Sequence, residues 1–138
     1  MIANLTDQLI RDEGLRLEPY TDTVGKITIG VGRNLSDVGI SVVEAQQLLV
    51  NDIANATARL EETFPWTAGL DEVRRAALLN MAFNMGIRGL SQFQNFLAAM
   101  RTGDWESARN EMLNSRWAQQ VGARAQRLAI QIETGVWQ

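Results

Sequence analysis

Apolar positions along this chain recur with two periods, and the switch between them marks out the elements. In residues 3–12, Leu5, Leu9 and Ile10 fall on one face at helical spacing, which predicts an amphipathic helix. Gly14 follows Glu13 and supplies the conformation that a helix C-terminus often needs. From Lys26 to Val31 the pattern alternates every second residue, so a strand is expected, with Thr28 on the face opposite Ile27 and Ile29. Pro19 and Gly25 bracket the chain reversal, which gives a hairpin from Leu17 to about Val31. Asn34 to Gly39 then reads as a short polar connector.

Ser41-Val42-Val43-Glu44 is a capping box, in which each side chain satisfies a free amide at a helix start. Behind it Ala45, Leu48, Leu49, Ile53, Ala56 and Leu60 form one apolar stripe that must end before Pro65. A helix over 42–62 would be roughly 30 Å long at ~1.5 Å per residue. The second half reads as helical throughout. A helix over 71–85 turns Val73, Ala76, Ala77, Leu79 and Met81 inward and stops at Gly86. Ser91 is expected to cap a helix over 92–101 that stops near Gly103, and Asp104 one over 105–113. A short turn at Arg116–Gln119 precedes a last helix, about 123–133, ended by Gly135.

The fold class that follows is α+β and mostly helical. A small N-terminal lobe, about 12–45, carries a short antiparallel sheet. A long helix connects it to a helical C-terminal lobe, about 60–138, which also takes the first helix. The 138 residues fit one domain with a real core. No run of 18 apolar residues exists, so no membrane span is expected. The N-terminal Met-Ile-Ala-Asn-Leu-Thr-Asp-Gln carries an acid and no leading basic run, which argues against a signal peptide and for synthesis in the cytoplasm.

Composition narrows the chemistry. Cysteine is absent, so there are no disulfides or thiolate nucleophiles. Histidine is absent too, which disfavours zinc hydrolases with imidazole ligands and Ser-His or Cys-His enzymes. Carboxylates remain for proton transfer, as glycosidases use them. No metal or cofactor is expected. The net charge of −3 is uneven: residues 1–70 carry 5 basic and 10 acidic side chains, residues 71–138 carry 8 and 6. A nucleic-acid partner is not expected, because no dense basic patch on a basic domain is present.

Residues 10–33 concentrate the candidate chemistry. Glu13 closes the first helix, while Asp22 and Thr28 sit on the hairpin beside it. The pattern is Glu, eight residues, Asp, five residues, Thr, embedded in D-E-G-L-R-L…Y…D-T…G…T-I-G-V-G. It resembles the catalytic segment of the phage-type lysozymes, the family typified by those of T-even bacteriophages. Leu70 to Gly86 agrees with that family, as do Ser115-Arg116-Trp117, Arg124-Ala125-Gln126-Arg127 and Thr134-Gly135-Val136-Trp137. The likeness runs through nearly the whole chain, which is shorter than the T-even members after Gly32.

The resemblance implies a muramidase that cuts the β-1,4 bond between N-acetylmuramic acid and N-acetylglucosamine in peptidoglycan. Glu13 would be the general acid, a partly buried carboxyl that protonates the departing oxygen. Asp22 would place or activate the attacking water and stabilise positive charge at the sugar, and Thr28 would hold that water. Read singly, the three are a solvated helix-end acid, a turn aspartate and an ordinary strand threonine. The family's inverting mechanism needs the carboxyls roughly 6.5–9.5 Å apart. Arg124 matches the position that pairs with the acid, although a nearby cation favours ionised Glu13 and burial must oppose it. Phe83 and Asn84 match groove-lining positions. Asn34, Phe96 and Glu111 align with sugar-contacting positions but keep none of the T-even residue types, so those contacts are not carried over.

Arg33 stands where the family usually has histidine, and an Arg33–Asp52 ion pair is expected in its place. Arg116 and Arg127 are expected to be structural, as pairs or caps within the lobe. Trp66, Trp105, Trp117 and Trp137 could stack on sugars, but Trp117 and Trp137 align with core positions and are expected there. The setting implied is an endolysin, a monomer made in the host cytoplasm that acts on the wall after another agent releases it. Two other readings compete: a lytic transglycosylase, which needs no water-holding Asp/Thr pair, and a non-catalytic wall-binding or assembly module.

Overall fold

Capping chemistry fixes most helix boundaries in the computed structural model, which describes residues 1–138. Helix α1 (Leu5–Glu13) starts at Asn4, whose side chain accepts from the Asp7 amide, and ends at Gly14, with φ 78°. Helix α2 (Val42–Thr63) opens on the expected box: Ser41 Oγ accepts from the Glu44 amide at 3.1 Å, and Glu44 Oε1 from the Ser41 amide at 2.9 Å. The chain divides into two units, residues 1–49 and 50–138.

In the first unit, β1 (Arg16–Thr21), β2 (Ile27–Gly30) and β3 (Arg33–Asn34) form an antiparallel sheet in the order β1-β2-β3. Tyr20 faces Thr28 on one side, and Asn34 faces it on the other. The β1–β2 register slips between Arg16 and Tyr20. Pro19 lies in that interval, inside the strand, where it has no amide to give the ladder. Alternation along β2 is as expected, but the buried member is the threonine: Thr28 is 4% exposed and Ile27 50%. The apolar faces read from the pattern are largely uncovered. Leu5, Leu9 and Ile10 are exposed, and of the α2 stripe only Leu60 is fully buried.

The second unit carries the core. After a 3₁₀ turn at Pro65–Gly69 come α3 (Glu72–Leu90), α4 (Gln94–Thr102), α5 (Trp105–Leu113), α6 (Arg116–Val121) and α7 (Ala123–Thr134). Leu60, Leu78, Met81, Leu90, Phe96, Met100, Met112 and Ile132 are fully enclosed. Leu78, absent from the expected inward set of α3, is among them. Gly86 (φ 76°, ψ 164°) breaks α3 where the helix was expected to end, and a further turn resumes behind it. Ser91 caps nothing ahead of it; its hydroxyl bonds back to the Ile87 carbonyl. The turn at Arg116–Gln119 is a helix, capped by Ser115. Trp117 is buried as expected, whereas Trp137 is 57% exposed, because it lies beyond the end of α7 at Gly135. No helix is long and apolar enough to cross a membrane.

Candidate active site

Glu13 is the last residue of α1, and Gly14 turns the chain away immediately behind it. Its side chain is exposed rather than partly buried, and its carboxyl rests against the backbone of Gly32 in the β2–β3 turn. A Cβ at position 32 would come within 2.9 Å of Glu13 Oε2. The glycine therefore gives the carboxyl room and keeps the turn at φ 68°.

Asp22 opens the β1–β2 loop, and its Oδ1 accepts from the amides of Val24 (2.9 Å) and Lys26 (2.8 Å). Turn chemistry thus occupies one carboxylate oxygen, while Oδ2 has no protein partner. Thr28 donates its hydroxyl hydrogen to the Lys26 carbonyl at 3.2 Å, which leaves the oxygen's lone pairs to accept. One residue, Lys26, therefore ties Asp22 to Thr28 through its backbone. All three expected residues belong to the first unit.

The remaining candidates lie in the second unit. Phe83 is 46% exposed on α3. Asn84 Oδ1 accepts from the Trp117 indole at 2.7 Å, so its carbonyl is engaged in packing and only its amide nitrogen is free. Arg124 donates to Asn80 twice, to Oδ1 at 2.9 Å and to the carbonyl at 3.2 Å. It lines a polar hollow of about 340 Å³ with Asn80, Arg127, Leu128 and Gln131. Phe96 is core and 1% exposed, so it is no sugar contact.

Two expectations about arginines are corrected. Arg33 does not pair with Asp52; it grips Glu44, with Nη1–Oε1 at 2.9 Å and Nη2–Oε2 at 2.8 Å, and also donates to the Gly39 carbonyl. Glu44 opens α2 next to the connector from β3, whereas Asp52 lies ~12 Å further along the helix. The Arg33 guanidinium, helped by the Ser41 amide, holds the Glu44 carboxyl down at about 2. Arg116 and Arg127 make no ion pair. The capping role falls to Arg74, which donates to the Ile132 and Glu133 carbonyls at the end of α7 and stacks on Trp105 at 4.1 Å. Neither periodicity nor motif singles out the supports Lys26, Gly32 and Arg74 by their contacts. Only the glycine carried a signal, its place in a T-I-G-V-G run.

The phage lysozyme family model matches residues 11–131, a span that contains Glu13, Asp22 and Thr28. The chain belongs to the phage lysozyme family. Lysozymes are glycoside hydrolases, and family membership puts this chain in that class. Among curated relatives, it is 33% identical to the pre-baseplate central spike protein Gp5 of Enterobacteria phage T4, over 96% of this chain and 28% of that protein. It is 29% identical to probable T4-type lysozyme 1 of Dictyostelium discoideum, over 98% of this chain and 96% of that one. A SAR-endolysin of Escherichia phage Mu is 27% identical, over 94% and 75%. The chain thus spans just over a quarter of the spike protein but nearly all of the slime-mould lysozyme. The alignments to those two run over 160 and 164 positions, more than the 138 residues of this chain, so both open gaps in it.

Proposed function

We propose that this lysozyme hydrolyses the β-1,4 bond between N-acetylmuramic acid and N-acetylglucosamine in peptidoglycan, with inversion at the anomeric carbon. Glu13 donates its proton to the glycosidic oxygen as the bond to the leaving sugar breaks. A water gives one hydrogen bond to Asp22 Oδ2 and one to Thr28 Oγ1, so that its lone pair faces the anomeric carbon. Asp22 takes the water's proton as the new C–O bond forms, and the products are two sugar chains, one with a new reducing end.

The observation that carries this reading is the Lys26 link, which leaves an unused carboxylate oxygen and a hydroxyl oxygen with free lone pairs on one hairpin. That is what a water-holding pair requires, and a transglycosylase, which attacks with the substrate's own 6-hydroxyl, has no need of it. Phe83 is proposed as an apolar surface for a sugar ring and Asn84 as an amide donor to an acetamido or hydroxyl oxygen. The proposed setting is an endolysin that acts as a monomer on the wall after release from the host cytoplasm.

The deciding experiment compares wild type with Glu13→Gln on chloroform-treated Gram-negative cells. Wild type is expected to clear the suspension and the variant, folded to the same extent, to leave it turbid. New reducing ends support hydrolysis, whereas 1,6-anhydro ends mark a transglycosylase. Binding to the wall without clearing by wild type marks a non-catalytic module.

A further inference from the structure

We propose that Lys26 is a positioning residue for the reaction, and that its ion pair with Asp37 sets the spacing between Asp22 and Thr28. This rests on the reading of Asp22 and Thr28 as the water-holding pair. The backbone of Lys26 makes three of the bonds around that pair. Its amide donates to Asp22 Oδ1 at 2.8 Å, and its carbonyl accepts both the Asp22 amide at 2.8 Å and the Thr28 hydroxyl at 3.2 Å. Any rotation of the Lys26 peptide groups therefore moves the carboxylate and the hydroxyl relative to each other.

What restrains that rotation is the side chain. The loop from Asp22 to Lys26 is a hairpin tip, with Gly25 at φ 86° and Val24 76% exposed, and no apolar packing holds it. Lys26 Nζ instead reaches Asp37 Oδ1 at 3.0 Å. Asp37 is fixed in turn by Asn34: its Oδ2 accepts from Asn34 Nδ2, and its amide donates to Asn34 Oδ1, both at 3.0 Å. Asn34 is the residue opposite Thr28 in the β2–β3 ladder. The circuit closes: Thr28 to Asn34 across the sheet, Asn34 to Asp37, Asp37 to Lys26, and Lys26 back to Thr28. A second, independent tie runs beside it, from the Ile27 amide to Ser36 Oγ at 2.9 Å.

Both heads of the ion pair are largely in solvent, with side chains 41% and 54% exposed. Such a pair adds little to global stability. Its effect belongs in the geometry of the water site, where small misplacement costs rate rather than binding. A merely structural salt bridge would show the reverse.

The test is steady-state kinetics on soluble glycan strands released from peptidoglycan, with thermal melting in parallel. Lys26→Met and Asp37→Asn are each expected to lower kcat about tenfold, with KM changed by less than ~2-fold and the melting temperature by less than ~2 °C. The double variant should be about as slow as the worse single one, because the Lys26–Asp37 contact is lost in both. Lys26→Arg should recover most of kcat, since a guanidinium can still reach Asp37. Wild-type kcat in Lys26→Met, while Asp22→Asn is inactive, overturns the positioning role and leaves the water-holding reading intact. Raised KM at unchanged kcat makes Lys26 a substrate contact and also overturns it. So does loss of kcat in step with melting temperature that arginine does not repair. Full activity of Asp22→Asn overturns the water-holding reading itself.

Discussion

Gly32 and Gly30 form a matched pair that isolates what holds Glu13. Both have nearly the same φ, 68° and 69°. Alanine at either position occupies the left-handed side of the map and should cost ~1–2 kcal/mol of stability. Against a total of about 5–15 kcal/mol, both variants should remain folded at 25 °C. They differ in what the new methyl meets. At position 30 nothing lies within 4 Å, whereas at position 32 it sits 2.9 Å from Glu13 Oε2, 3.2 Å from Cδ and 3.3 Å from Cγ. To regain ordinary contact at 3.4 Å, the carboxyl end must retreat by about half an ångström. The side chain is flexible and exposed, so that swing costs little stability. If Glu13 is the proton donor it costs rate, because a displacement of ~1 Å in a reacting group can lose about 10²-fold and half of that on the order of tenfold. Urea unfolding and wall-lysis rate should therefore separate: equal stability losses in Gly30→Ala and Gly32→Ala, and about tenfold lower activity only in Gly32→Ala. Equal activities in the two variants would refute the idea that the β2–β3 turn positions the acid.

Three further predictions concern supports. Asn84→Leu leaves the buried Trp117 indole without its acceptor and should lower unfolding free energy by ~1–3 kcal/mol in a denaturant titration, whereas Asn84→Asp keeps the acceptor and should stay near wild type. The Glu44 carboxyl titrates at about 2 in the folded protein, below its ordinary 4.5, so its contribution is complete above 4.5 and is lost as pH falls towards 2; a melting comparison with Glu44→Gln should show a gap at pH 7 that closes by about pH 2. Arg74→Met removes two bonds to the last carbonyls of α7 and the stack on Trp105, an expected loss of ~2–4 kcal/mol and a drop in melting temperature on the order of 10 °C; Arg74→Lys should recover little, because an ammonium cannot bridge two carbonyls and lie flat on an indole.

Helix ends were legible because their causes are local. A serine, an aspartate or a glycine acts within one turn, so α2, α5 and α7 start or stop beside the residues that signal it. Ser91 misled for the same reason: a serine hydroxyl can cap the helix ahead or bond to the carbonyl four residues behind, and spacing does not distinguish them. Burial was less legible. Trp117 and Trp137 carry the same side chain, but Trp117 meets Asn84, 33 positions away, and Trp137 lies past the last helix and stays mostly exposed. Arg33 chose the nearer of two acids on one helix, a choice that depends on how short the connector is in space.

At the candidate site the division falls between side-chain chemistry and backbone support. Glu13, Asp22 and Thr28 stood out because their joint spacing resembles the phage-lysozyme motif; read singly, none of them did. What orients Asp22 is a pair of backbone amides, at Val24 and Lys26, and every residue but proline has one. No side-chain pattern can announce such a role. Gly32 is the exception that explains the rule: there the backbone demand is a positive φ and a missing methyl, and both force a particular residue. The support at Lys26 acquires a side-chain requirement only through Asp37, which is why substitution at position 26 separates the amide's role from the ammonium's. Lys26→Met keeps every backbone bond to Asp22 and Thr28 while removing only the tie to Asp37.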